Sequence, residues 1–561
     1  MKQWRVYPTC QFMMFVGLAL TSTFAHSNIK PNILLLVAED LSPRIGSYGD
    51  AVAKTPNLNA LARSSIRFTQ AFTTAGVCAP SRAALMMGMH QISFAAQHMR
   101  TSTGPLGKYY AQPKPGQLAF PELLRRDGYY TFTDRKLDYQ FSGIVAGSGP
   151  FSIWDLENAS DFGWRNRSDE QPFFGLINFI ETHESGVMRA SGDTHSESHK
   201  RTQMMRTQLG VVAPKVTNPK DVILPPYYPD VPAVRADLAR HYDNIHNMDK
   251  RLGIILNALI EDGLFDNTII IWTTDHGDGL PRAKRELFDT GIHVPLLMSL
   301  PTDHRNPLTP IPSDDTRLVS FVDLGPTILQ MAGLDPPQYM HGKPIFQSNR
   351  SFVYASRDRI DEVHDRQRAI RSKNFKYIRS YVADVPGGHK LNYRDNLDMV
   401  RAWRTLSQQG SLEPVQSRWF EPVPTHQLYN LNKDPWETNN LAQDPAYAGV
   451  LLELQQALHQ HLESVGDTGA EPEAKMRQRL LNNNRVPSTP KPVWQVANGM
   501  LMLNHSTLGS IGYKLDDGPW QLYTAPLPAA QLKPHTNIHF KAVNYGQLQS
   551  AVEVLDLATL F

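Results

Sequence analysis

The sequence predicts an α/β protein built on a doubly wound, mostly parallel sheet, and three observations carry that expectation. First, short runs that are apolar throughout recur along the chain, as strands covered on both faces require. Second, each of these runs stops abruptly at charged or imidazole residues. Third, segments with helical spacing of apolar residues lie between them, the alternation that builds βαβ units.

The elements follow in chain order. Asn32–Ala38 is wholly apolar after its first residue and ends at Glu39-Asp40. Residues 129–133, Tyr-Tyr-Thr-Phe-Thr, end at Asp134, Arg135 and Lys136. Residues 172–180 end at Glu181-Thr182-His183, and residues 267–274 end at Asp275-His276-Gly277-Asp278. In open α/β sheets, sites form beyond the carboxyl ends of the strands, so these four runs deliver polar groups to one edge. Helices are expected at 56–63, at 121–127 before a Gly128 cap, and over 233–262 before Gly263. The last of these puts Leu252, Ile255, Leu256 and Leu259 on one face.

At 561 residues the chain exceeds one ordinary core, so several domains are expected. The α/β domain spans roughly 30–340. A smaller α+β subdomain follows at 341–480, with short strands at 351–355 and 375–379 and a helix at 451–462. Residues 481–492 contain Asn482-Asn483-Asn484 and a proline-rich stretch that reads as a linker. Residues 493–561 carry short strand-like runs between turns and read as a small β-sandwich.

Residues 1–25 read as a signal peptide. Lys2 and Arg5 precede an apolar run at 12–20 that is too short to cross a bilayer, and Thr23-Phe24-Ala25 resembles a cleavage site. Export to the periplasm or medium is therefore expected, with no stable membrane span. The 56 basic and 54 acidic residues leave a formal net charge of +2, so no global field selects nucleic acid, and an anionic substrate needs local cations. The two cysteines are Cys10 and Cys78. Removal of the leader leaves Cys78 without a disulfide partner in an oxidising compartment, which points to a chemical role.

The sequence around Cys78 is the strongest signal. Residues 78–88, Cys-Ala-Pro-Ser-Arg-Ala-Ala-Leu-Met-Met-Gly, resemble the sulfatase signature C-x-P-S-R-x-x-L-x-x-G at every specified position. Pro80 suits the first turn of a helix, whose free N–H groups favour sulfate or an oxyanion, and Arg82 lies one turn in. The resemblance to the formylglycine-dependent sulfatases extends over residues 31 to about 445. It implies an alkaline phosphatase-like fold and oxidation of Cys78 to formylglycine. That oxidation is the work of a formylglycine-generating enzyme or an anaerobic sulfatase-maturating enzyme. It also implies hydrolysis of sulfate esters, with sulfated carbohydrates as substrate in the bacterial polysaccharide and glycosaminoglycan enzymes. The rival readings are a phosphatase or phosphodiesterase of the same superfamily, and a non-catalytic relative that binds sulfated sugars.

Residue by residue, the resemblance implies a Ca²⁺ site at Glu39, Asp40, Asp275 and His276 beside Cys78. Glu39 departs from the usual Asp-Asp pair, and Asp275-His276 matches the later metal pair. Oxygen-rich ligands favour Ca²⁺ or Mg²⁺ over zinc. Lys136, His183 and Lys284 match the sulfate-contacting lysine, histidine and second lysine, and with Cys78 and Arg82 complete the expected catalytic set. A second departure is Asp138, which stands where the family has histidine in a K-x-H pattern. It is read either as a base or as a ligand for a sugar hydroxyl. His98 and Arg100, downstream of Gly88, are further substrate-binding candidates. Residues 321–327 and 427–435 resemble structural landmarks of the family.

Overall fold

The computed structural model describes residues 30–189, 197–301 and 313–560. The expected signal peptide lies outside them. Pro31–Phe561 forms one compact unit. Its centre is a sheet of β1 (Asn32–Ala38), β2 (Ser65–Phe72), β3 (Tyr130–Thr133), β4 (Phe173–Phe179), β5 (Thr268–Thr274), β6 (His293–Ser299), β7 (Ser313–Asp315) and β8 (Val319–Ser320). The order is β3-β4-β1-β5-β6-β2-β7, with β8 also on β2. Strands β3, β4, β1 and β5 run parallel. β6 is antiparallel to both β5 and β2, so the sheet is mixed at this point. The chain turns back after β5 without a crossover helix, and the turn is where Asp275, His276 and Lys284 lie.

The sheet is doubly wound because β1 is apolar on both faces. Ile33, Leu35 and Val37 pack into one core with α2 (Cys78–Met87) and α3 (Phe120–Arg126). Leu34, Leu36 and Ala38 pack into the other with α1 (Pro56–Ala62) and α5 (Pro232–Glu261); α4 spans Glu197–Gln208. The period of two along the strand thus feeds two cores at once. α5 buries Leu252, Ile255 and Leu259 as its pattern predicts, while Leu256 sits at the margin. Leu36 is fully buried in the central strand. Leu36→Ala is expected to cost about 2–5 kcal/mol, since the surroundings of such a cavity relax only in part. Urea denaturation checks it, and a cost below about 1 kcal/mol would contradict tight packing there.

Beyond this sheet lies a four-stranded antiparallel sheet of β9 (Val353–Arg357), β10 (Gln367–Arg371), β11 (Phe375–Ser380) and β12 (His426–Asn430). The helix Ala448–Val465 packs on it through Leu454 and Leu458. Residues 493–560 contain two small antiparallel sheets of three and four strands. These share a core that includes Leu501, Ile511, Ile538 and Phe540. No helix among the described residues is long and apolar enough to cross a membrane.

Candidate functional site

The four parallel strands end on one edge, and their next residues converge. Backbone hydrogen bonds lock the loops together: Asp275 N–H donates to Ala38 O at 3.0 Å, Leu41 N–H to His276 O at 3.1 Å, and Gly279 N–H to Asp40 O at 3.0 Å. Asp40 itself has φ +53°, an uncommon conformation for a non-glycine residue that surrounding contacts must impose. Gly277 is needed for close approach, because a Cβ there would lie 1.9 Å from Thr290 O.

α2 brings Cys78 to the same edge. Its extended N-cap is Val77, Pro80 falls in the first turn, and Gly88 closes the helix at φ +61°. Every residue of α2 is buried. Ser81 Oγ donates to Asp275 O at 2.5 Å, fixing the helix to the end of β5. Cys78 Sγ then lies 3.4 Å from His276 Nε2 and 3.9 Å from Asp40 Oδ1.

Around it stands a dense, buried set of charges. Asp40 Oδ1 is 2.9 Å from His276 Nε2, and its Oδ2 is 2.6 Å from Lys284 Nζ. The Glu184 N–H donates to Oδ2 at 2.7 Å. Glu39 Oε2 accepts from Lys136 Nζ at 3.0 Å, while its Oε1 is buried with no hydrogen-bond partner among the described residues. Arg82 Nε donates to Asp275 Oδ2 at 3.1 Å, and its Nη1 donates to Asn178 Oδ1. His183 Nε2 is 3.4 Å from Lys284 Nζ and 3.9 Å from Glu39 Oε2.

The electrostatics follow from this crowding. Burial would raise the Asp40 carboxyl, but Lys284, His183 and His276 hold it well below the usual carboxylate range. Burial would lower His276, yet Asp275, Asp40 and Cys78 push its imidazole up to about 10. Burial lowers His183 well below its ordinary value, and the Lys284 charge lowers it further, so its ring is neutral. Ser185 N–H and Ser185 Oγ both stand at His183 Nδ1, at 3.3 and 2.9 Å, while Nε2 faces Lys284 Nζ at 3.4 Å. Lys284 stays charged because Asp40 outweighs its burial.

The donor set fits a hard divalent cation. One ligand atom from each of Asp40, Cys78, Asp275 and His276 lies within 4.8 Å of the others, and Glu39, Asp40, Cys78 and His183 form an overlapping group. The orphaned Oε1 of Glu39 supplies a further free oxygen at the same edge. Glu39, Asp40 and Asp275 supply three carboxylates, the hard oxygens that Ca²⁺ or Mg²⁺ takes, and Cys78, His183 and His276 supply the other three donors.

The structure therefore brings together Glu39, Asp40, Cys78, Arg82, Lys136, His183, Asp275, His276 and Lys284. Asp138 is buried at the rim, where Arg100 Nη2 stands 3.5 Å from its Oδ2. Cys78 and Asp138 both act on the Arg100 charge, so Arg100 borders the cluster. His98 is held elsewhere. Its Nδ1 accepts the Arg359 N–H at 3.2 Å and stands 4.0 Å from Glu473.

Three supporting groups escaped the sequence reading. Glu184 binds Arg285 through two bonds of 2.8 Å and stands 3.5 Å from Lys284. Asn178, inside β4, receives Arg82 and also donates to Asp134. Asp278 accepts from Ser42 N–H, Arg44 and His241, tying the loop after Asp40 to the turn after Asp275. Burial opposes the Asp278 charge, but Arg44 and His241 hold the carboxyl far below its ordinary value. Glu184 and Asp278 each extend a charged strand-end run, the one signal that could have flagged them.

The chain is similar to known proteins. Residues 31–334 match the family model described as Sulfatase. An ulvan-active sulfatase of Formosa agariphila is 36% identical over 532 residues, covering 89% of this chain and 87% of that protein. The human N-sulphoglucosamine sulphohydrolase is 27% identical over 463 residues, covering 76% and 89%. The solved structure of BT4656 in complex with its substrate D-glucosamine-2-N,6-O-disulfate superposes with a TM-score of 0.53 at 17% identity. It covers 79% of this chain and 100% of that one. With more than half of the chain matched by the family model and its signature cysteine set among buried acids and lysines, this protein belongs to the sulfatase family, enzymes that hydrolyse sulfate esters.

Proposed function

We propose that this chain removes sulfate from sulfated carbohydrates outside the cytoplasm, using formylglycine at position 78 and a bound Ca²⁺. The observation that carries the reading is the placement of Cys78 at the N-terminus of α2, 3.9 Å from Asp40 and between two lysine-bearing loops. The relatives named for ulvan and for N-sulphoglucosamine support a sugar substrate. The leader-like residues 1–25 support export. A formylglycine-generating or anaerobic sulfatase-maturating enzyme would act on Cys78 before use.

Glu39, Asp40, Asp275 and His276, beside position 78, would hold the Ca²⁺, which when bound supplies positive charge to the sulfate oxygens. Formylglycine, when formed, supplies as its hydrate one hydroxyl to attack sulfur and a second whose deprotonation restores the carbonyl and frees sulfate. The chain's own residues do the rest. Lys136 and Lys284 reach the cluster from opposite loops and neutralise anionic oxygens as the S–O bond to the alcohol breaks. Arg82, anchored by Asp275 and Asn178, orients the side chain at position 78. His183 Nε2 stands 3.4 Å from Lys284 Nζ, and the charged Lys284 can give a proton to the departing alkoxide directly or through His183. We assign Asp138, whose Oδ2 stands 3.5 Å from Arg100 Nη2, to a sugar hydroxyl.

The test is sulfate release. Ion chromatography should detect free sulfate from ulvan fragments or sulfated glucosamine, dependent on added Ca²⁺, with little phosphate from the matching phosphate ester. Phosphate turnover exceeding sulfate turnover would favour the phosphodiesterase reading. Binding without release of either would favour a non-catalytic sugar-binding protein.

A further inference from the structure

A second polar cavity, of about 270 Å³, lies on the far side of the segment that carries Lys284. Its base includes Arg282, Glu286, Trp419 and Tyr429, and the exposed Arg418, Glu421 and Asn439 form part of its rim.

Arg282 is the informative residue. Its guanidinium is clamped between the rings of Tyr227 and Phe288, at 4.2 and 4.1 Å. Nη2 donates to Glu437 O at 2.7 Å, but Nη1 is buried and has no partner among the described residues. The residue is only 8% exposed and has φ +59°, so its surroundings hold it in an uncommon conformation. A buried N–H without an acceptor is costly, so an acceptor brought by a ligand would be favoured there. On the same lining, Glu286 gives Oε2 to Arg357, while its Oε1 has only the Trp419 indole N–H at 3.5 Å, a poor bond.

The cavity thus offers an unused donor, an underused acceptor and aromatic walls. Its charges nearly balance. Glu286, Glu421 and Glu437 oppose Arg282 and Arg418. A second sulfate or a carboxylate would meet Glu286, and an ammonium would meet Arg282. A hydroxyl answers both groups, since it donates to a carboxylate and accepts from a guanidinium. The C–H face of a sugar ring suits an indole wall.

The cavity and the sulfate-facing cluster share one segment of chain. Arg282 and Glu286 flank Lys284 by two residues on either side. Gly387 closes on Trp419, where a Cβ would lie 2.6 Å from the indole nitrogen. The same segment continues to Tyr393, whose ring centre is 6.4 Å from that of His183.

We propose that this cavity is an accessory subsite for an uncharged sugar ring of the substrate chain, separate from the ring that bears the cleaved sulfate. It rests on the reading of the substrate as a sulfated carbohydrate. The test uses the full matured protein with excess inorganic sulfate and Ca²⁺ to occupy the catalytic cluster. D-glucose, D-galactose, D-xylose and L-rhamnose are each titrated by saturation-transfer NMR. At least one should bind. Asn439→Trp, at the exposed rim, and Arg282→Met should each weaken that binding about tenfold, equivalent to about 1.4 kcal/mol. Both should also raise KM for a sulfated oligosaccharide and leave KM for a monosaccharide sulfate unchanged. Absence of sugar binding, or binding unchanged in folded Asn439→Trp, overturns the subsite. Loss of all sulfate release by the unmutated protein would instead overturn the proposed activity.

Discussion

Cys78→Ala is expected to lower kcat for sulfate release by at least about 10⁴-fold, the scale on which loss of a covalent nucleophile acts. Cys78→Ser, while its hydroxyl stays unoxidised, should do nearly the same, because a sulfated serine has no second hydroxyl on that carbon to expel sulfate. Neither variant should unfold the protein. Cys78 is small and buried at the start of α2, and the helix is anchored independently through Ser81 and Arg82. Thermal denaturation checks the fold, and ion chromatography checks the rate. Mass spectrometry of the proteolytic peptide carrying residue 78 checks the chemistry, and should find the aldehyde or its hydrate in active protein. Activity within tenfold of normal in Cys78→Ala, or an unmodified thiol throughout fully active protein, would remove position 78 from the reaction.

Much of this site could be read from the sequence because parallel sheets impose a rule. Asn32–Ala38 and Thr268–Thr274 are apolar on both faces, so they had to be central strands. The first polar residues after them, Glu39-Asp40 and Asp275-His276, had to share an edge. Local chemistry places Cys78 as well, since proline in the first turn and glycine at the C-cap bound a helix whose start faces that edge. Strand direction was not legible in the same way. β6 has the same apolar texture as the parallel strands, yet it runs antiparallel to both β5 and β2, and the 275–292 connection is long enough for either direction. Supporting charges were also hidden. Glu184 and Arg285 are 101 residues apart and meet only because the loops after β4 and β5 converge. Asn178 reads as one polar residue in a buried strand until Arg82 is seen to reach it. His98 shows the converse: its nearness in sequence to Arg100 does not carry it to the cluster, because the backbone of Arg359 claims its ring.

Asp40→Asn is the second large effect, and it separates metal binding from the rest of the site. The substitution keeps shape and removes one charge. That charge now faces His276 at 2.9 Å and Lys284 at 2.6 Å, all three fully or nearly fully buried. Breaking a buried pair by neutralising one partner costs about 3–5 kcal/mol, because the other charge stays buried. The variant is therefore expected to melt earlier than the unmutated chain, and to lose sulfate release by at least about 10³-fold. The decisive readout is neither of these. Calcium that binds only the folded chain stabilises it by about 2.7 kcal/mol at a hundred times Kd. The unmutated protein should therefore gain Tm on adding Ca²⁺ and lose that gain with a chelator. Asp40→Asn should show almost no Ca²⁺-dependent change in Tm and should retain no calcium after dialysis, by elemental analysis. Glu39→Gln should fall between the two. One of its oxygens already belongs to Lys136, and Oε1, with no hydrogen bond among the described residues and Arg82 Nη2 3.9 Å away, remains for the ion. A Ca²⁺-dependent rise in Tm that survives intact in Asp40→Asn would place the ion elsewhere. Asp40 would then be left as the partner that keeps Lys284 charged.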